Sequence, residues 1–226
     1  MKETKENTIS RQILEKCVLF KNLDDEELRK AEKFFVSEQK SYQKNDIIHM
    51  PGKQMEKFGL LISGMICVCK VDKDGNRIVM AEVSPGETFG ESLCYLKIPE
   101  PHISIYAEEN AEILWLSAGN IAKKKDNDDF SVMMTERFIK MLAERTLSLN
   151  NRIQILSKKS LKDKILYFLR DAAEKNRSNT FSVQLNREDM ASYLGTDRSA
   201  LSRELSVLKK EGTIDFYKNT FCIKNI

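Results

Sequence analysis

Thirty consecutive residues, Asp128 to Ser157, contain neither glycine nor proline. Within them Met134, Phe138, Met141/Leu142, Leu149, Ile153 and Leu156 recur at spacings of mostly three, four or seven. Such spacing puts side chains on one side only of an α-helix, where 3.6 residues make a turn. A helix of this length is not held by propensity alone and needs its apolar stripe covered. No sheet pattern continues beside it, and the economical cover is the same helix from a second copy, so residues 128–157 are expected to form a dimerisation helix. The competing reading is a helix packed only on its own domain.

The patterns on either side differ. Residues 9–36 read as short helices, with Ile9, Ile13, Leu14 and then Leu28, Ala31, Phe34 and Phe35 at helical spacing, the second starting at Asp24-Asp25-Glu26-Glu27. From Asp46 onward, short apolar runs (Gly59-Leu60-Leu61-Ile62, Ile66-Cys67-Val68-Cys69, Ile78-Val79-Met80-Ala81, Ile113-Leu114-Trp115-Leu116) are separated by Pro51-Gly52, Ser63-Gly64, Asp74-Gly75 and Pro85-Gly86. Runs of that length between turn residues predict a β-sandwich or barrel. After Ser157-Lys158-Lys159-Ser160 come a helix through Ile165, Phe168, Leu169 and Ala172, a polar loop, a helical stretch from Asn186 to Glu211, and two strand-like pieces, Thr213 to Phe216 and Thr220 to Ile223, joined by Tyr217-Lys218-Asn219. A hairpin after two helices is a wing. The expected domains are residues 1–127, 128–157 and 158–226.

Composition narrows the class. Apolar residues at 41% and charged residues at 31% supply ordinary globular cores. No apolar run approaches the roughly 18 residues of a membrane span, and the charged start Met1 to Asn7 precedes no apolar segment, so a cytoplasmic protein is expected. Five cysteines, at 17, 67, 69, 94 and 222, do not form a disulfide framework. The net charge of +3 is uneven: residues 158–226 hold 14 Lys/Arg against 9 Asp/Glu, an excess compatible with phosphate attraction and, on its own, equally with a solvated face.

The most specific motif runs from Asn186 to Leu205. Ala191 lets two helices approach, Gly195 supplies a left-handed turn between them, and Thr196 or Asp197 can cap the second. On that helix Leu201, Leu205 and Leu208 share a face, while Ser199, Ser202, Arg203, Ser206 and Lys210 fall on the opposite arc. A short-polar and basic outer face entered through a tight turn suits major-groove reading, with Arg198 at the helix start also within reach of DNA. A plain helical hairpin with a solvated face is the bland alternative.

With these residues in place the chain resembles the CRP/FNR family of transcription regulators over nearly its whole length. Phe58-Gly59-Leu60-Leu61-Ile62-Ser63-Gly64, then Gly75 and Pro85-Gly86-Glu87-Thr88-Phe89-Gly90-Glu91, is similar to the family's cyclic-nucleotide-binding roll, and Ala191 to Leu205 to its reading helices. The resemblance implies an α+β chain: an N-terminal β-roll (jelly-roll) sensor, a long dimerisation helix and a C-terminal winged helix-turn-helix. It implies a homodimer on double-stranded DNA at a palindromic operator, with RNA polymerase a further partner and no cofactor.

Nucleotide-binding members follow the Gly-Glu pair with an Arg-Ser that holds the cyclic phosphate. Here Gly90-Glu91 is followed by Pro101-His102 at the matching positions, and proline offers no donor for a phosphodiester. On the long helix the family's Arg matches Arg145, and its adenine-contacting Thr-Ser matches Leu149-Asn150. Glu91, His102, Arg145 and Asn150 are therefore candidates for an effector other than cyclic AMP, each also readable as an ordinary polar residue. The family's iron–sulfur members cluster N-terminal cysteines, whereas Cys17 stands alone in an apolar run. A thiol or metal sensor built from Cys67, Cys69, Cys94 and His102 is an alternative, thin with two histidines in the chain, and no metal is expected. No nucleophile elbow, phosphate-cradling loop or metal-binding helix motif points to an enzyme. A C-terminus that docks protein is the remaining alternative, against which the polar arc with Arg203 speaks.

Overall fold

The computed structural model describes residues 11–35, 37–71, 77–121 and 128–224; Ile9 and the Asp74-Gly75 turn lie outside them. The chain divides into two units, residues 1–142 and 143–226.

The first unit opens with α1 (Arg11–Leu14) and α2 (Asp25–Phe34), the latter starting where Asp24 accepts from the amides of Glu26 and Glu27 while Glu27 reaches back to the Asp24 amide. Eight strands follow: β1 (Glu38–Tyr42), β2 (Ile47–His49), β3 (Phe58–Ser63), β4 (Ile66–Val71), β5 (Arg77–Val83), β6 (Thr88–Phe89), then, after α3 (Glu91–Leu96), β7 (Ile103–Ala107) and β8 (Ala111–Leu116). They make two antiparallel sheets, β1-β8-β3-β6 and β2-β7-β4-β5, with one core between them. Gly59 is required here: a Cβ would stand 2.1 Å from the Phe89 ring, its cross-strand partner. β1, β2, β6, β7 and α3 were not legible as elements, being short or mixed in character.

α4 (Asp129–Leu156) is continuous, and it separates two apolar faces that the spacing alone runs together. Met134, Phe138 and Met141 are buried in the first unit, where Phe138 meets the rings of Phe58 and Tyr95 at 5.6 and 5.9 Å. The expectation that Phe138 belongs to an uncovered stripe is therefore corrected: its own roll covers it. Val132, Ile139, Leu149, Ile153 and Leu156, spaced by seven, ten, four and three, stay exposed.

In the second unit come α5 (Leu161–Asn176), β9 (Thr180–Ser182), α6 (Arg187–Leu194), α7 (Arg198–Lys210), β10 (Ile214–Tyr217) and β11 (Thr220–Ile223). The segment read as a polar loop contains β9, which pairs with β11 to make a three-stranded wing sheet, order β10-β11-β9. Phe181, flanked by exposed Thr180 and Ser182, stacks on Phe221 and is the single apolar residue that ties it down. Ile155, Ile165, Leu169, Met190, Leu194, Leu201, Leu205, Leu208 and Phe221 form the unit's core.

Candidate nucleic-acid interface

Three side-chain caps set the helices of this unit. Ser160 accepts from the Asp163 amide, Asn186 from those of Glu188 and Asp189, and Asp197 from that of Ala200. Each satisfies amides that a helix start leaves unpaired. Gly195, at φ +66°, turns α6 into α7, and its missing side chain leaves room for Leu156, whose methyl would lie 2.9 Å from a Cβ there. Ala191, 2% exposed, sits at the crossing.

α7 is thereby divided as the spacing predicts. Leu201, Leu205 and Leu208 are buried, and Arg198, Ser199, Ser202, Arg203, Ser206 and Lys210 are exposed. Arg203 and Lys210 make no ion pair or hydrogen bond among the described residues, so their charges face solvent. Arg198 meets Glu188 at 3.8 Å, both side chains well exposed. Two serine hydroxyls are engaged: Ser199 donates to the Asp197 carboxylate at 2.6 Å, and Ser206 to the Ser202 carbonyl at 2.8 Å. The Ser199 and Ala200 bonds hold the Asp197 carboxyl below the usual carboxylate range.

Sequence reasoning missed Arg187, although it stands first in α6. Its guanidinium donates to the Lys218 carbonyl at 2.5 Å and lies over the rings of Phe216 and Phe221 at 5.4 and 5.0 Å. It is thus a strut between α6 and the wing, whose tip carries Tyr217, 76% exposed, and Lys218. An Arg three residues before a buried Met offers no periodic signal for this. At the other edge Asp215 holds Lys209 and Lys224 at 2.6 and 3.1 Å, which lowers its carboxyl strongly.

In the first unit Glu91 is 3% exposed at the start of α3 and accepts the Thr88 hydroxyl, whose oxygen also lies 3.6 Å from the Met141 sulfur. His102 is exposed in the turn before β7; Arg145 and Asn150 are exposed on the part of α4 that belongs to the second unit. Two clefts of about 590 and 330 Å³ open beside β1, the smaller lined by His49, Trp115 and Lys40, and neither is lined by the four effector candidates. Cys67 and Cys69 pack with Tyr106 apart from the main core that holds Cys17 and Cys94. Burial pushes the Cys17 and Cys67 thiols up to about 11 and raises Cys94. No group of three or more His, Cys, Asp or Glu with metal-binding geometry occurs among the described residues.

A β-roll and a capped helix-turn-helix with a basic outer face and a wing define a DNA-binding transcription regulator. The cyclic nucleotide-binding domain family matches residues 39–128, and the Crp-like helix-turn-helix domain family residues 163–226. The transcriptional activator protein FnrL of Cereibacter sphaeroides is 24% identical over 200 residues, 84% of this chain and 77% of that one. The cyclic AMP receptor protein of Thermus thermophilus is 24% identical over 202 residues, 87% of each chain. Among solved structures, the c-di-GMP-responsive regulator CLP of Xanthomonas campestris shares the fold, with a TM-score of 0.53 at 16% identity over 90% of this chain and 100% of that one. The chain belongs to the CRP/FNR family; its relatives are transcription regulators, not enzymes. No helix among the described residues is long and apolar enough to cross a membrane.

Proposed function

We propose that the protein is an effector-responsive cytoplasmic regulator that binds, as a homodimer, a two-fold-symmetric operator with half-sites about one helical turn apart. The carrying observation is the two-sided α7: three leucines seat it in the core while Arg198, Ser199, Ser202, Arg203, Ser206 and Lys210 stand clear. Arg203 makes a bidentate contact to guanine. Arg198 and Lys210 meet phosphate; the exposed Glu188 pair, worth at most about 1 kcal/mol, is readily exchanged for one. Leu149, Ile153 and Leu156, each more than 40% exposed, carry the dimer seam.

The effector is a small molecule other than cyclic AMP. In the first unit Glu91 and His102 are its candidate contacts, in the second Arg145 and Asn150 are candidates taken by themselves, and Pro101-His102 is the departure that speaks against a cyclic phosphate. The names of the relatives span cyclic AMP and c-di-GMP, so the fold does not select the ligand. RNA polymerase is the downstream partner. Binding-site selection tests the reading: Arg203→Ala should lose preference at one base pair at a cost of about 1–3 kcal/mol per half-site, and Lys210→Ala should weaken all sites alike and lower the salt slope. Unchanged preferences in the Arg203 variant would mean that another residue reads the guanine.

A further inference from the structure

A hydroxyl on a reading helix has one proton and two lone pairs, and it is ambiguous toward a base edge only while its proton is free to turn outward. On α7 that freedom differs from serine to serine. Ser199 donates its proton to the Asp197 carboxylate at 2.6 Å, and the same carboxylate oxygen accepts the Ala200 amide at 2.8 Å. The acceptor is ionised and fixed by its capping role, which makes the bond of the stronger, charge-assisted kind. Ser206 donates backward to the Ser202 carbonyl at 2.8 Å. Ser202 has no internal acceptor for its own hydroxyl among the described residues.

We propose that Ser199 is an acceptor-only reader, which selects a base carrying an exocyclic amino group in the major groove. Turning the hydroxyl proton toward a guanine or thymine oxygen would break its charge-assisted bond to Asp197 and leave that carboxylate, one residue before the helix, short of a donor. Adenine N6 and cytosine N4 are the major-groove donors, so the base under Ser199 is adenine or cytosine. Ser202 keeps both options and stays permissive. Asp197 therefore acts on the base through Ser199, as a positioning residue, besides capping the helix.

This rests on α7 being the DNA-reading helix, and the test separates the two. Binding-site selection is run on the full-length chain and on Arg203→Ala, Ser199→Ala and Asp197→Asn. An enriched motif that loses its guanine in Arg203→Ala establishes the reading helix. Within that motif the wild type should require adenine or cytosine at one neighbouring position. Ser199→Ala should lose that requirement alone, with overall affinity within a few-fold. Asp197→Asn keeps the cap but offers a neutral, weaker acceptor, and guanine and thymine should become tolerated at the same position. On the selected operator, replacing that adenine by purine, or that cytosine by pyrimidin-2-one, removes the amino group; wild-type binding should fall about 3- to 10-fold per half-site, the loss of one hydrogen bond, and Ser199→Ala should be indifferent. A guanine or thymine requirement under Ser199, or a preference unchanged by Ser199→Ala, would overturn the acceptor assignment while leaving the reading helix intact. Failure to enrich any motif would overturn both.

Discussion

Arg187→Ala removes the strut between α6 and the wing, and its cost follows from what the guanidinium holds. That group gives one charged hydrogen bond to a carbonyl, that of Lys218 at 2.5 Å, a long and weak one to the Met190 sulfur at 3.8 Å, and two cation–π interactions, at 5.0 and 5.4 Å. A hydrogen bond to a charged group is worth about 1.5–3 kcal/mol and an exposed cation–π interaction about 0.5–1 kcal/mol. Arg187 is half-buried and the orphaned carbonyl sits in a hairpin turn where water reaches it, so the low end applies throughout. The expected loss is about 2.5 kcal/mol. In a unit the size of residues 143–226, each kcal/mol moves the midpoint by roughly 4–8 °C, so the transition should fall by about 10–20 °C. Calorimetry on the full chain reads this, and hydrogen exchange at Phe216 to Asn219 localises it. Arg187→Lys keeps the charge without the planar fork and should recover about half of the loss. A change within about 0.5 kcal/mol, with wing exchange as in the wild type, would refute the strut, since substitutions at featureless surface positions fall in that range.

Leu149→Glu and Ile153→Glu, both on the exposed face of α4, should turn the proposed dimer into a folded monomer in sedimentation, whereas Phe138→Glu should unfold the roll; a dimer that survives both changes would exclude that face as its seam. Gly195→Ala should cost about 1–2 kcal/mol in urea unfolding through its left-handed φ, because the crowding falls on a flexible Leu156 methyl; no loss would mean the turn tolerates a side chain. Burial holds His49 below its ordinary value near 6.5, so the unfolded chain protonates first: the stability due to neutral His49 is complete above that pH and is lost as pH falls, and His49→Phe should flatten the decline in urea midpoint between pH 7.5 and 5.5. Cys67→Ser with Cys69→Ser should leave any effector response intact, because a thiol titrating at about 11 is not a sensor nucleophile; loss of response with the fold preserved would restore the redox reading.

What could be read from the residues follows from how local their causes are. The Asn186 to Leu205 motif was legible because cap, alanine, glycine and leucine face act within a few residues, and the roll's central strands because four consecutive apolar residues between glycine turns admit few alternatives. β9 was hidden because Phe181 alone is apolar and its partner lies forty residues on, in β11. The two faces of α4 were merged for a related reason. Spacing states that Phe138 and Leu149 are apolar at helical intervals, but which one meets the phenyl ring of Phe58 depends on where β3 arrives, and that is settled by register between strands. Polar direction is less legible still. Ser199, Ser202 and Ser206 are one residue type on one arc; only the positions of Asp197 and the Ser202 carbonyl decide where two of their protons go. On a reading helix the cap therefore does more than begin the helix: it fixes the proton of the side chain two residues on, and with it the sign of the hydrogen bond offered to DNA.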